Sequence, residues 1–263
     1  MSFQEGEFAT PDGARIAYRM RPGRDPIVLL HALGCDATMW DGVVDTLPHD
    51  MGVIVPELRG HGASTLGWRA PSVELWADDV VRVINHKRVE QPAIAGLSMG
   101  GYVAFAIEAA NKGLARSYAF IDTSAAPDED AGKQRRAAAI EQVRREGWRA
   151  YAEESVPNLL NRDDEKFTVN RSQVLRMYER AGDSGLPPTL MALAARPDRR
   201  PMLMSIAVPS IAVVGSLDTI TPPDRARAIA AAIPGARLHV LDGAAHLSAI
   251  ERPRKLAGLL GTL

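Results

Sequence analysis

From Ile27 onward the chain alternates two patterns. Short runs that are apolar at every position (Ile27 to Leu30, Val53 to Val55, Ala93 to Ala95, Tyr118 to Ile121, Ile211 to Val214 and Leu238 to Leu241) are separated by longer segments that are apolar at every third or fourth position. A short run apolar on both faces predicts a fully buried parallel strand, with helices over both sides of its sheet. Among the longer segments, SVELWADDVVRVINHKRV sets Val73, Trp76, Val80 and Ile84 on one helical face behind Ser72 as N-cap. TPPDRARAIAAAIPG opens on Pro222 and Pro223 and closes at Gly235, the punctuation of a helix. Ahead of the alternation, GEFATPDGARIAYRM reads as a hairpin turned at Asp12-Gly13. Together these elements predict an α/β protein with a mostly parallel sheet of about eight strands flanked by helices.

One interval breaks the rhythm. Between the strand ending near Ile121 and the one starting near Ile211 lie about 90 residues with no strand signal, where a crossover helix needs only about 10 to 15. The text there is helical: EDAGKQRRAAAIEQVRREGWRAYAEESV, SQVLRMYERAG and PPTLMALAARP, with breaks expected at Pro157, Gly182, Gly185 and Pro197. The arginine-rich part of the first helix reads as a solvated face. An insertion after the sixth strand emerges at the strands' C-terminal edge, where open α/β sheets bind ligands, so it is expected to form a lid. The expected division is a core of residues 1–123 and 202–263 and a helical lid of residues 124–201.

Composition removes several classes of function. With 263 residues, 46% hydrophobic and 24% charged, the chain has the make-up of a globular domain. Lys plus Arg number 31 against 32 for Asp plus Glu, so no net field draws in nucleic acid or an anionic membrane. One cysteine, Cys35, leaves no intrachain disulfide, and no Cys/His cluster has zinc spacing. A cytoplasmic location is expected, since MSFQEGEFATPDG has no secretory pattern and no stretch reaches the roughly 18 apolar residues of a membrane span. Neither metal nor organic cofactor is expected. The spacing of residues says nothing of oligomeric state.

The candidate chemistry begins at IAGLSMGGYVA. Here GLSMG fits G-x-S-x-G, between a strand and a helix, the context of a nucleophile elbow. Such a reversal has no room for side chains two residues either side of the serine, which accounts for Gly96 and Gly100. It aims the Ser98 hydroxyl out of the sheet and leaves the Met99 amide free at a helix N-terminus, where it can meet a developing oxyanion. A serine hydroxyl needs a base, and the base a carboxylate, in the chain order Ser, acid, His. Asp218 in GSLDTITPP and His246 in GAAHLSAIERP each follow a strand in that order. Asp122, after YAFID, is a second candidate acid. Asp242 is expected to shape a turn, and His49, His86 and His239 to be surface or strand residues. The second oxyanion donor is expected from HALGCDATMW, at the Leu33 amide, with Gly34 keeping the backbone clear and His31 holding the loop. Cys35 has no base beside it and reads as packing.

Taken in order, HALG, ELRGHGAS, GLSMGG, GSLDTITPP and GAAHLSAIERP resemble the α/β-hydrolase fold over nearly the whole chain. HALGCDATMWD and LSMGGYVA are similar to the 3-oxoadipate enol-lactonase branch and related small bacterial esterases. The resemblance implies Ser98, Asp218 and His246 as a catalytic triad, the Leu33 and Met99 amides as an oxyanion hole, and a structural role for Arg59 and His61. Ala32, Glu57 and Ala245 stand where many members carry Gly, Asp and Gly. The implied activity is a serine hydrolase acting on a small carboxylic ester or lactone through an acyl-enzyme. Alternatives on the same fold are a carbon–carbon bond hydrolase of a ring-cleavage product, a cofactor-free perhydrolase, and a non-catalytic small-molecule binding protein. Trp148, Tyr151, Met177, Tyr178, Leu186 and Met191 are candidate pocket residues. An anionic substrate would require an inward-facing arginine that sequence alone does not select.

Overall fold

The computed structural model of the protein describes residues 3–263. Strands β1 (Gln4–Ala9) and β2 (Arg15–Arg21) form the antiparallel hairpin, with Gly13 at φ +80° in its turn. The chain then runs β3 (Arg24–Leu30), α1 (Asp41–Val44), β4 (Met51–Pro56), α2 (Val73–His86), β5 (Ala93–Leu97), α3 (Met99–Ala110) and β6 (Ser117–Ile121). After α4 (Asp130–Ser155) and α5 (Phe167–Ala194) come β7 (Ser210–Gly215), α6 (Pro223–Ala232), β8 (Arg237–Leu241), α7 (Ser248–Glu251) and α8 (Pro253–Leu260). The eight strands pair in the order β1-β2-β4-β3-β5-β6-β7-β8, antiparallel at β1–β2 and β2–β4 and parallel from β4 through β8.

Alternation along the strands explains why the runs are apolar throughout. Ile27 and Leu29 face one layer of the core with Trp40 and Leu256; Val28 and Leu30 face the other with Trp76 and Phe105. The second of these layers is closed by two helices that the periodicity predicts: Ser72 Oγ accepts from Leu75 N at 3.1 Å at the start of α2, and Gly235 takes φ +73° after α6. The β8 run departs from expectation. It is the last strand in the order, and only Leu241 is buried, with Val240 exposed, because no further strand or full helix layer covers that edge.

A buried ion cluster ties the hairpin to the sheet. Arg59, just after β4, binds Asp12 of the hairpin turn and Asp79 of α2, with Nη2 at 2.8 Å from each carboxylate. All three side chains are almost wholly out of solvent, which accords with the structural role that the resemblance implied for Arg59.

Two long helices, α4 and α5, occupy the interval between β6 and β7. Their breaks only partly match the expected ones. α5 breaks at Gly182 (φ +56°), but α4 also turns at Gly147 (φ +84°), which the sequence reading passed over. Gly185 is not a break. It lies against Gly60, where any Cβ would overlap the Gly60 carbonyl, so its lack of a side chain serves helix docking instead. Among the described residues no helix is long and apolar enough to cross a membrane.

Candidate active site

Ser98 sits between β5 and α3 with φ +53° and ψ −110°, a conformation that side chains rarely adopt and that costs of order 1–3 kcal/mol. The surroundings hold it there. Its amide donates to Ile121 O at 2.9 Å, and its carbonyl accepts from Thr123 Oγ1 at 2.8 Å. A Cβ on Gly96 would strike the Gly100 carbonyl, and one on Gly100 would strike the Leu30 carbonyl, so both positions require glycine.

The chain ends of β7 and β8 bring the other two groups to this turn. His246 Nε2 lies 2.8 Å from Ser98 Oγ, and His246 Nδ1 lies 2.9 Å from Asp218 Oδ2. Asp218 also accepts from Ile220 N (2.8 Å), Thr221 N (2.9 Å) and Thr221 Oγ1 (2.7 Å), which uses its remaining lone pairs and fixes its plane. Burial pushes the Asp218 carboxyl up, but the facing imidazole and these hydrogen bonds outweigh it and hold its pKa below the usual value. Burial pushes His246 down, yet the Asp218 carboxylate and its hydrogen bond, reinforced by Asp122 and Glu251, leave its pKa above the usual value. The arrangement therefore contains a base oriented by a carboxylate and in contact with a hydroxyl.

Asp122, the second candidate acid, is engaged elsewhere. Its carboxylate accepts from Gly215 N at 2.8 Å and from the Ser248 hydroxyl, pinning the end of β7 to the start of α7. Burial, with the charge of Asp218, pushes its pKa up to about 7. Asp242, His49 and His86 are exposed and His239 lies on the half-open β8.

The amides of Leu33 and Met99 have no acceptor among the described residues and flank the serine from the loop after β3 and from the first position of α3. Burial holds the His31 imidazole neutral: its Nδ1 donates to Ala32 O (2.8 Å) and its Nε2 accepts from Leu58 N (2.9 Å). That ring fixes the Leu33 loop. Burial likewise pushes His61 down to about 3 and raises the Cys35 thiol, leaving both without charge near neutral pH. Of the substituted positions, Glu57 acts through its side chain and Ala245 only through its backbone. Glu57 accepts from Ala37 N and Ala63 N, and Ala245 N donates to Glu251 at 2.7 Å.

A cavity of about 220 Å³ opens over Ser98 and His246. Tyr151 and Tyr178 line it, their rings 6.2 Å apart. Trp148, Met177 and Leu186 do not. Met177 and Leu186 turn into the core as the inward face of α5, while Trp148 follows the Gly147 turn, its ring packed under Arg149. Met191 is exposed. Other wall residues, among them Tyr102, Leu193, Ile220, Leu247, Arg136 and the polar Ser155 and Asn158, were missed. For Tyr102 a signal existed, since it lies one helical turn beyond Ser98. Arg136 overturns the expectation of a uniformly solvated arginine face: Arg144 and Arg145 are exposed, but Arg136 turns inward to Asp128.

The sequence model of the Alpha/beta hydrolase family matches residues 27–259. The chain belongs to that family. Within the Alpha/beta hydrolase family it is 26% identical over 243 residues to 3-oxoadipate enol-lactonase 1 of Acinetobacter baylyi, covering 87% of this chain and 84% of that one. A thermophilic esterase from Thermogutta terrifontis, solved with malate bound, superposes with a TM-score of 0.90 at 31% identity, over 98% of this chain and 96% of that one. A shorter match, 35% identical over 98 residues, joins it to an uncharacterized protein of Mycobacterium tuberculosis, of whose length the chain spans only 29%. The fold expected from the motifs is thus that of an alpha/beta hydrolase.

Proposed function

We propose that this chain is a serine hydrolase that cleaves a carboxylic ester or lactone of a small substrate through an acyl-enzyme. The observation that carries the reading is the unbroken contact from Asp218 through His246 to Ser98, at 2.9 Å and 2.8 Å. In this reading His246 Nε2 takes the Ser98 proton as Oγ attacks the carbonyl carbon, and Asp218 stabilises the imidazolium that forms. The Leu33 and Met99 amides donate to the oxyanion. His246 then returns the proton to the departing alcohol, and water, deprotonated by the same ring, releases the acid. The Acinetobacter lactonase and the Thermogutta esterase support the choice of ester over carbon–carbon or peroxide chemistry.

The cavity of about 220 Å³, walled by Leu33, Leu193, Ile220 and Leu247, supports a short acyl or lactone ring in preference to a long lipid chain. Residues 124–201 act in this proposal as a lid on a core of residues 1–123 and 202–263. A reducing cytoplasm is the proposed compartment, since the lone thiol of Cys35 is buried and unpaired. The test is hydrolysis of p-nitrophenyl butyrate by the wild-type chain and by Ser98→Ala, with labelling by a fluorophosphonate. Loss of about 10³-fold or more in kcat, together with loss of labelling, is expected. Undiminished turnover in Ser98→Ala overturns the reading.

A further inference from the structure

Beside the reactive cavity lies a second, larger one of about 440 Å³. The two share Tyr102, Arg136, Tyr151 and Ile220 as a common wall. Since Tyr102 is four residues past Ser98 on α3, the shared wall begins about 6 Å along the helix from the serine. A substrate arm of a few bonds spans that distance.

The larger basin has an unusual charge. Four guanidinium groups line it, those of Arg135, Arg136, Arg196 and Arg225, against two carboxylates, Asp128 and Glu129. The excess is two positive charges in a chain whose net charge is −1. Internal pairing does not cancel it. Asp128 is shared between Arg136 and Arg196, and Glu129 is largely exposed and only 3.7 Å from Arg225. Arg135 makes no ion pair among the described residues. Arg196 is 92% buried, stacked 4.3 Å over the Tyr102 ring, and its Nε–H has no acceptor. Arginine suits an anion geometrically, because its planar fork grips phosphate or carboxylate oxygens two at a time.

We propose that this basin is a subsite for an anionic group, phosphate or carboxylate, carried on one arm of the ester whose carbonyl is attacked by Ser98. The proposal rests on the serine-hydrolase reading and deepens it. The small apolar cavity takes the reacting carbonyl and its short acyl part, and the basin takes the charged remainder. Arg136, which lines both, stands at the junction.

The test separates binding from turnover. Calorimetric titration of Ser98→Ala compares 1-butyrylglycerol 3-phosphate with 1-butyrylglycerol, and monobutyl glutarate with butyl methyl glutarate. At least one charged ester is expected to bind tenfold or more tightly than its neutral twin at low salt, and the pair that shows the preference identifies phosphate or carboxylate as the group. The advantage should shrink in 0.5 M salt, as screening predicts. It should fall to twofold or less when Arg136→Gln is added, and also with Arg135→Gln/Arg225→Gln, whose exposed side chains leave packing untouched. Equal binding within both pairs overturns the proposal, as does a preference that survives both sets of substitutions. Turnover of p-nitrophenyl butyrate by the wild-type chain reads the serine-hydrolase proposal on its own. A charge preference without any turnover sinks that reading and leaves the subsite, whereas turnover without preference does the reverse.

Discussion

The turn around Ser98 and the seam between α5 and the Leu33 loop are held by different forces. At the turn, backbone meets backbone: Gly96 against Gly100, Gly100 against Leu30, and a strained serine locked by Ile121 and Thr123. Across the cavity, α5 reaches the Leu33 loop through side chains, with Arg180 paired to Asp36, Gln173 Nε2 at 3.4 Å from Thr38 O, and the Tyr178 ring over Gly34. Close backbone contact fixes atoms to a fraction of an ångström and tolerates no substitution. Side-chain ties at a partly exposed seam are each worth about 1 kcal/mol or less and can be exchanged. In the proposed function the reacting groups therefore lie on the rigid part, and that seam of the cavity wall is the adaptable one.

The sharpest way to break this contrast is to damage the rigid part. Asp218→Asn should lower kcat toward p-nitrophenyl butyrate by about 10⁴-fold, because the amide no longer holds the His246 tautomer. Asp122→Asn, equally buried but bonded to Gly215 and Ser248, should cost tenfold or less in kcat. Equal losses would mean that the two carboxylates share the role. Next in size is Arg59→Ala, which leaves Asp12 and Asp79 buried without their ion partner and should cost about 3–5 kcal/mol in urea unfolding. A loss below 1 kcal/mol would show that the cluster is open to water.

A pH profile sharpens the comparison further. His246 must be neutral to accept the serine proton, and its pKa is raised by Asp218, so kcat/KM should rise with pH through a midpoint above 6.5. In Asp218→Asn the residual activity should show a lower midpoint, since the raising charge is gone. An unchanged midpoint would assign the limb to another group. The smallest effect is expected at Met191→Ala, on the exposed side of α5, with a stability change within about 0.5 kcal/mol and unaltered kcat/KM.

Legibility in the sequence follows the same division. Strands β3 to β7, the Ser72 cap and the elbow glycines could be read because local sterics and burial on two faces leave few alternatives. The order Ser98, Asp218, His246 was readable because each residue follows a strand. Side chains on α4 and α5 were not. A helix of the insertion is amphipathic toward both the core and the cavity, and periodicity does not say which of the two an apolar residue meets. Met177 and Leu186 went to the core, Tyr151 and Tyr178 to the cavity, and Gly147, unremarked in the text, turned Trp148 away. Arg136 could not be distinguished from its neighbours until Asp128 was seen beside it.

The Gly60–Gly185 contact carries a lesson for anyone wishing to retailor this protein. Two bare backbones touching make a pivot that no recombined helix can reproduce unless glycine is retained at both places. Variation for new specificities should therefore be drawn from the residues after Gly185 and from the stretch around Tyr151, while that one point is left as the fixed seat on which any grafted replacement must be mounted.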